Sequence, residues 1–446
     1  MAARSAKPTI YLPVEIKARE LKAKVLLSVL ATRAGFRVYL GTKRSIDRLV
    51  LRKSSRDGIY FYKGGKPLSV LEEIKKKVDS FVVLDEEMGP AIHDLEMYCR
   101  RRIYPGTEHL IDGVFVIGDG HKQKLELVRP QLLGRIFASG WPRVDLWRPE
   151  FKFQYFHSVE SIRSRFGNFI LFSSDFGFLS EEKIHSEIER LQSIATSEAD
   201  LESFSQLAWA AFKDFKDFLD LMRRVDADDA FPPLVIRPHP AEDLSIWDSA
   251  LSELKKVKVV YEGEISPWLY ASSGLLHRGC TTAVQACVAG IPSVYLLGKN
   301  SKPKSESFTY KVSTPVSSYE DLLAECDLMF SGEARINELD LSDVISVDSE
   351  LASSKILSQL QQLETTPAYA FNIGFFLKKF RMLIGYLNEY REMKGWGLER
   401  DKLAKAKRKM LGGIHEFEIA DAVFCLFPDF SGTVIERDFN LVEIDV

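Results

Sequence analysis

Short apolar runs alternate with amphipathic helical stretches over most of the chain. The first series lies at 10–14, 36–40, 59–62, 81–84, 114–117 and 136–138. A helical stretch at 21–34 ends at Gly35, and Gly41 closes the run after it. Runs this short and this continuously apolar predict strands covered on both faces, as in a parallel sheet flanked by helices. After a proline-bearing polar stretch at 141–149, read as a hinge, the pattern restarts at 169–172, 234–237, 257–261, 275–277 and 293–296. A loop is expected at 226–233. Beyond Pro367 the strand signal fades. Residues 375–392 and 400–410 carry helical spacing, and 416–446 fits neither period well enough to place.

Two such series joined by a hinge predict an α/β protein of two Rossmann-type, doubly wound domains facing a cleft, followed by a helical C-terminal tail. The expected domains are 1–150, 151–366 and an extension at 367–446, since 446 residues exceed one ordinary core. Composition agrees: 46% hydrophobic and 28% charged residues are those of a soluble globular chain. A net charge of −3 excludes a general nucleic-acid binder. The five cysteines are scattered without zinc or disulfide spacing, which fits a reducing cytoplasm. No apolar run is long enough to span a bilayer, so the expected location is cytoplasmic and any contact with the inner membrane peripheral. Basic groups at 378–381 and 402–409 lie on helical stretches, which suits a solvated face and suits anionic lipid.

The chemistry-bearing residues follow strands. Arg237-Pro238-His239-Pro240 ends one run. Its prolines remove two amide donors and hold the backbone extended, so the turn aims Arg237 and His239 outward. A histidine there can donate to a phosphate oxygen and offset charge on a departing nucleotide. Taken alone, it reads better as the cap of a buried turn; with Arg237 adjacent and a second phosphate-type loop downstream, the functional reading is favoured. Gly279-Cys280-Thr281-Thr282 opens a helix after the run 275–277. Gly279 admits close approach, and Thr281 and Thr282 can bond an anion at the helix start or simply cap it. Glu262 follows another run and suits a base- or ribose-facing loop or a solvated turn.

In the first series, Asp85, Glu86 and Glu87 follow 81–84, where a carboxylate can act as base on an acceptor hydroxyl or as nucleophile. Such charges also complement a helix start. Asp175 is a second acid/base candidate, or an Asp closing its own turn. Arg143 can reach an anionic substrate or form a hinge ion pair. Arg19 and Glu20, near a helix start, suit an acceptor-side role or a local salt bridge. No P-loop, HExxH or GxGxxG is present, and Asp226-Ala227-Asp228 lies in the expected loop, so neither a metal nor a cofactor is expected.

Several segments together resemble the bacterial surface carbohydrate biosynthesis protein family. They are Pro13-Val14-Glu15-Ile16-Lys17-Ala18-Arg19-Glu20, Leu84-Asp85-Glu86-Glu87, Ser139-Gly140-Trp141-Pro142-Arg143-Val144-Asp145, Arg237-Pro238-His239-Pro240, and Ser266-Pro267-Trp268 leading to His277-Arg278-Gly279-Cys280-Thr281-Thr282. That family is similar, more distantly, to GT-B enzymes such as Kdo transferases, sialyltransferases and CDP-glycerol glycerophosphotransferases. The resemblance covers about 10–363. It implies a GT-B fold with donor nucleotide in the second domain. It also implies a metal-independent glycosyltransferase of O-antigen or capsule synthesis, with a CMP-activated ulosonic or nonulosonic donor and a glycan or lipid-linked glycan acceptor. A CDP-alcohol polyol-phosphate transferase and a non-catalytic scaffold of the same fold are the alternatives. By motif, His239, Thr281 and Thr282 would meet the CMP phosphate, and Glu86 or Glu87 would be the acidic group. The chain departs from the family where Trp141 and Asp175 stand in place of the common asparagines.

Overall fold

The computed structural model describes residues 6–64, 68–87, 95–192, 198–239, 242–300, 307–336, 344–371, 375–393 and 413–446. Its contacts divide into two units: Met1–Leu146 with Asp340–Val446, and Trp147–Leu339. The chain thus leaves the first unit once and returns to it.

Unit 1 begins β1 (Thr9–Val14), α1 (Lys17–Arg33), β2 (Arg37–Thr42), α2 (Lys43–Arg52), β3 (Ile59–Tyr62), α3 (Leu68–Lys75), β4 (Ser80–Leu84), α4 (Leu95–Arg102), β5 (Gly113–Phe115), α5 (Asp119–Val128), β6 (Ile136–Phe137) and α6 (Pro142–Asp145). Unit 2 contains α7 (Phe156–Phe166), β7 (Ile170–Ser173), α8 (Glu181–Gln192), α9 (Glu198–Ala227), β8 (Leu234–Arg237), α10 (Leu244–Leu251), β9 (Val257–Val259), α11 (Ile265–Ala271), β10 (Gly274–His277), α12 (Thr282–Val288), β11 (Ser293–Leu296), α13 (Phe308–Lys311), β12 (Thr314–Val316) and α14 (Tyr319–Ser331). Back in unit 1 come α15 (Ala352–Leu360), α16 (Phe375–Met393), α17 (Glu416–Leu426), β13 (Thr433–Asp438) and β14 (Leu441–Asp445).

Unit 2 is the expected doubly wound sheet. Its order β12-β11-β10-β7-β8-β9 is wholly parallel, with β7 in the middle and the chain winding outward in both directions. This is the Rossmann order, and the crevice between β7 and β10 is its topological switch point. Buried aromatic side chains fill the layer between sheet and helices: Phe172 stacks on Phe218 at 4.3 Å between centroids, and Trp247 meets Phe215 edge-on at 5.1 Å. Pairs of this geometry add about 0.5–1.5 kcal/mol beyond the area they bury.

Unit 1 has the order β2-β1-β3-β4-β5-β6, parallel throughout and flavodoxin-like, with its switch point between β1 and β3. Its edge departs from the sequence-based expectation. The tail expected to be helical ends in a hairpin, and β14 pairs antiparallel with β2, setting Val442 opposite Leu40 and Ile444 opposite Val38. Residues 340–446 accordingly join unit 1, where the sequence pattern predicts a separate extension from 367. The reason lies in the turn. Phe439-Asn440 lacks the glycine that marks most tight hairpins, yet Asn440 takes the left-handed conformation at φ 58°. Gly41 makes the pairing close, because a Cβ there would lie 2.5 Å from the Asn440 carbonyl. Buried Arg37 bonds Asp445 at 3.3 Å and the Ala368 carbonyl at 2.8 Å, fixing the hairpin at its far end. Of the other tail expectations, the helix at 375–392 is α16, while 400–410 and the basic run at 402–409 lie outside the described residues.

Candidate functional site

In unit 2 the expected donor-side residues lie on loops at the carboxyl edge of the sheet, and one buried side chain ties two of those loops together. Glu242, 3% exposed, accepts from Ser174 Oγ at 2.8 Å and the Gly177 amide at 3.3 Å with one oxygen. Its other oxygen accepts from the His239 amide at 3.0 Å and Trp247 Nε1 at 3.1 Å. The loops after β7 and β8 are therefore pinned to each other, and the His239 side chain is left exposed. Across the switch point, Ser173 Oγ lies 3.1 Å from Thr282 Oγ1 and 3.3 Å from Cys280 Sγ, linking the end of β7 to the start of α12. Burial pushes the Cys280 thiol up, and the charge of nearby Asp175 adds to it.

The turn before α12 is set by a residue of the quoted motif to which the sequence reading gives no role. His277 is fully buried, and its Nδ1 accepts from the Gly279 amide at 3.0 Å. The proton therefore sits on Nε2, which donates to Ser313 Oγ at 2.8 Å. Burial holds this imidazole neutral, down to about 3. Gly279 has φ 126°, a conformation that favours glycine. Its amide is directed at His277, so it serves the turn.

The remaining unit 2 candidates divide. Thr282 turns its hydroxyl inward to Ser173 and Cys280, whereas Thr281 is half-buried and makes no side-chain cap bond. Arg237 is buried and donates to the carbonyls of Glu262 and Gly263, with its guanidinium 5.0 Å from the Trp268 ring. Burial lowers its pKa to about 10, and its Nε has no partner among the described residues. Arg237 thus shapes the turn after β9. Glu262 itself is exposed and paired with Arg165 at 2.7 Å. Asp226 accepts from the Lys256 and Val257 amides, and Asp228 from Tyr319.

Unit 1 brings its candidates into one charged cluster at the carboxyl ends of β1, β3 and β4. Glu20, 3% exposed, accepts from the Glu15 amide at 2.8 Å, Lys24 at 2.9 Å and Lys63 at 2.7 Å. Burial alone would raise its pKa, but the two ammonium groups and the amide hold it well below the carboxylate range. Glu87 bonds Arg19 at 2.6 Å and Lys63 at 3.0 Å. Burial again opposes ionisation and these cations prevail, lowering it to about 2. Asp85 accepts from Nε and Nη2 of Arg102 and from Tyr98 at 2.7 Å, yet burial keeps its pKa raised.

Glu86 differs from its neighbours. It is 4% exposed and accepts from the Arg143 amide at 3.2 Å, without a direct cation on its carboxylate among the described residues. Burial raises its pKa, Lys24 opposes that, and the charge of Glu20 reinforces it. Half-buried Arg143 is lowered to about 10 by burial and by Arg19. Lys24, Lys63, Arg102 and Glu242 were not legible as site residues. Only Glu242, three positions after His239, had a local signal, since a carboxylate at that spacing can bond back to a turn amide.

No protein-family model matches the sequence, and no curated protein matches it. Solved structures are similar. The UDP-GlcNAc 2-epimerase from Methanocaldococcus jannaschii aligns with 79% of this chain and 99% of its own, at 12% identity and a TM-score of 0.50. The fold is GT-B-like. The wall teichoic acid polymerase TagF covers 80% of this chain and 88% of its own, at 11% identity and TM-score 0.41. The UDP-GlcNAc 2-epimerase from Neisseria meningitidis covers 79% and 99%, at 13% identity and TM-score 0.43. Identities this low speak to fold alone.

Proposed function

We propose that this protein is a metal-independent glycosyltransferase of surface polysaccharide synthesis, with the nucleotide of its donor held by unit 2 and its acceptor by unit 1. The observation that carries the reading is the arrangement at the unit 2 switch point. There a Ser-Cys-Thr contact fixes the start of α12, and on the other side of β7 one buried carboxylate, Glu242, fixes the loop that presents His239. Rossmann sheets of this order bind nucleotides at that crevice. The fold neighbour at TM-score 0.50 is named for a UDP-sugar, which adds support for a nucleotide-sugar donor.

His239 and Thr281 are the groups proposed to meet the donor phosphate. Of the three carboxylates after β4, Glu86 suits a base best: Glu87 and Asp85 are bound to cations, while Glu86 is buried with a raised pKa. In the transfer, the acceptor oxygen forms a bond to the anomeric carbon as the bond from that carbon to the phosphate oxygen breaks. The hydroxyl proton passes to Glu86, and the nucleotide leaves with the bonding pair. The resemblance of the His-Pro motif to that of CMP-sugar enzymes favours a CMP-activated ulosonic or nonulosonic acid as donor and a glycan or lipid-linked glycan as acceptor.

Calorimetric titration with CMP, UDP and ADP tests the donor. CMP is expected to bind, and His239→Ala to weaken it at least tenfold. Absence of binding by all three would end the assignment. Product mass separates glycosyl transfer from the polyol-phosphate alternative, which adds phosphorus to the acceptor.

A further inference from the structure

Helix α16 shows its apolar side to solvent. Phe380 is 60% exposed, Leu383 58% and Leu387 49%. At about 100° per residue these positions share one stripe with exposed Phe376, and Leu377 and Ile384 lie beside it. The opposite side holds the helix to the terminal hairpin. Gly385 makes room for the Phe439 ring, Lys378 donates to the Glu436 carbonyl, and Arg381 pairs with Asp438 at 2.9 Å. The small residue therefore faces the protein and the large apolar ones face away, the reverse of an ordinary surface helix. The apolar surface continues: Tyr386 stacks on His415 at 5.4 Å, and His415 on Phe417 at 5.8 Å, with Phe417 70% exposed. A contiguous patch of this kind marks a contact surface.

Charge identifies the contact. Arg44, Arg48 and Arg52 recur every fourth residue along α2, with Arg44 and Arg52 exposed. Burial lowers the Arg48 guanidinium, repulsion from nearby Arg381 adds to it, Asp438 opposes it, and Arg44 and Arg52 add further. In sequence, α16 holds four Lys and Arg (Lys378, Lys379, Arg381 and Arg391) against two Glu, within a chain of net charge −3. A second copy of the chain would set one basic surface against another. An anionic bilayer satisfies both features, with acyl chains meeting the stripe and headgroups the cations. No helix among the described residues is long and apolar enough to cross a membrane, so the contact is in-plane.

We propose that α16 docks unit 1 on the surface of an anionic lipid bilayer, its apolar stripe toward the acyl chains and the exposed arginines of α2, Arg44 and Arg52, toward the headgroups. The inference is independent of the donor assignment in unit 2.

Sedimentation of the full chain with vesicles tests it. Binding is expected to vesicles containing phosphatidylglycerol and not to phosphatidylcholine alone. It should fall as salt rises from about 0.1 to 1 M, which shortens the screening length from about 10 to about 3 Å. Phe380→Glu with Leu387→Glu should reduce binding at least tenfold, while circular dichroism and CMP titration stay at wild-type values, since both side chains are exposed. Arg44→Ala with Arg52→Ala should lower it by about 25-fold, from roughly fivefold per cation at such a surface. Equal binding to neutral vesicles, no binding to either, or wild-type binding by the double glutamate variant would overturn the proposal. So would a dimer in sedimentation velocity that this variant dissolves while vesicles are ignored.

Discussion

Replacing Glu242 by alanine leaves four donors facing a gap. The Ser174 hydroxyl can rotate to a new partner, but the amides of His239 and Gly177 and the indole of Trp247 are fixed donors. Hydrogen bonds to a charged acceptor contribute about 1.5–3 kcal/mol each, and stranding a buried donor costs about 1–3 kcal/mol. These terms overlap within one network, so the expected loss is about 3–5 kcal/mol rather than their sum. For a unit of this size that is a fall in Tm of roughly 6–20 °C. Glu242→Gln is milder and more telling. Its carbonyl oxygen can keep the His239 and Trp247 donors while its NH2 faces Ser174, which can accept. The conflict is confined to the Gly177 amide, for a cost of about 1 kcal/mol. Thermal unfolding followed in parallel with CMP titration separates the two roles. Alanine should weaken CMP well beyond the glutamine variant, because it releases the His239 loop. A Glu242→Ala protein that melts with the wild type and binds CMP unchanged would refute the account of how the two loops are held.

Other expectations follow from the same contacts. Glu86→Gln should abolish transfer while raising Tm near neutral pH, because burial disfavours the ionised carboxylate. The sign is fixed by the raised folded pKa: this group favours the folded state at low pH, and that contribution is lost as pH rises through the folded value. Transfer should in turn rise with pH through the same titration, with an acid limb above the usual carboxylate range, measured as kcat/KM against pH. Phe218→Ala, beneath the stack on Phe172, should cost about 3–5 kcal/mol in denaturant unfolding. Removing 433–446 should bare the β2 edge and leave buried Arg37 without Asp445, giving a protein that aggregates in light scattering.

The parallel sheets are legible in the sequence because their strands are short, apolar and bounded by glycine or proline. The runs at 59–62, 234–237 and 293–296 coincide with β3, β8 and β11. β12 is not legible, since Thr314-Pro315-Val316 carries a proline and too few apolar residues to register. The hairpin escapes notice for its turn chemistry. Position at the end of a strand is enough to mark a loop as chemistry-bearing, so Glu86, Asp175 and His239 stand out as candidates from sequence alone. Which way each side chain points depends on tertiary partners that no local pattern encodes. Thr281 and Thr282 look alike in sequence, yet only Thr282 finds Ser173. Asp85, Glu86 and Glu87 are adjacent, but Arg102, Lys63 and Arg19 arrive from other elements to neutralise two of the three.

The terminal hairpin also sets an order of events at the ribosome. Unit 2 is a continuous insert and has its whole sheet once residue 339 has emerged. Unit 1 begins earlier and finishes later, because β2 waits for residues 441–444 to close its flank. Throughout that interval the nascent chain carries an open strand able to pair with a neighbour's. Slow translation of residues 340–440 prolongs that exposure, and the emergence of 441–444 ends it.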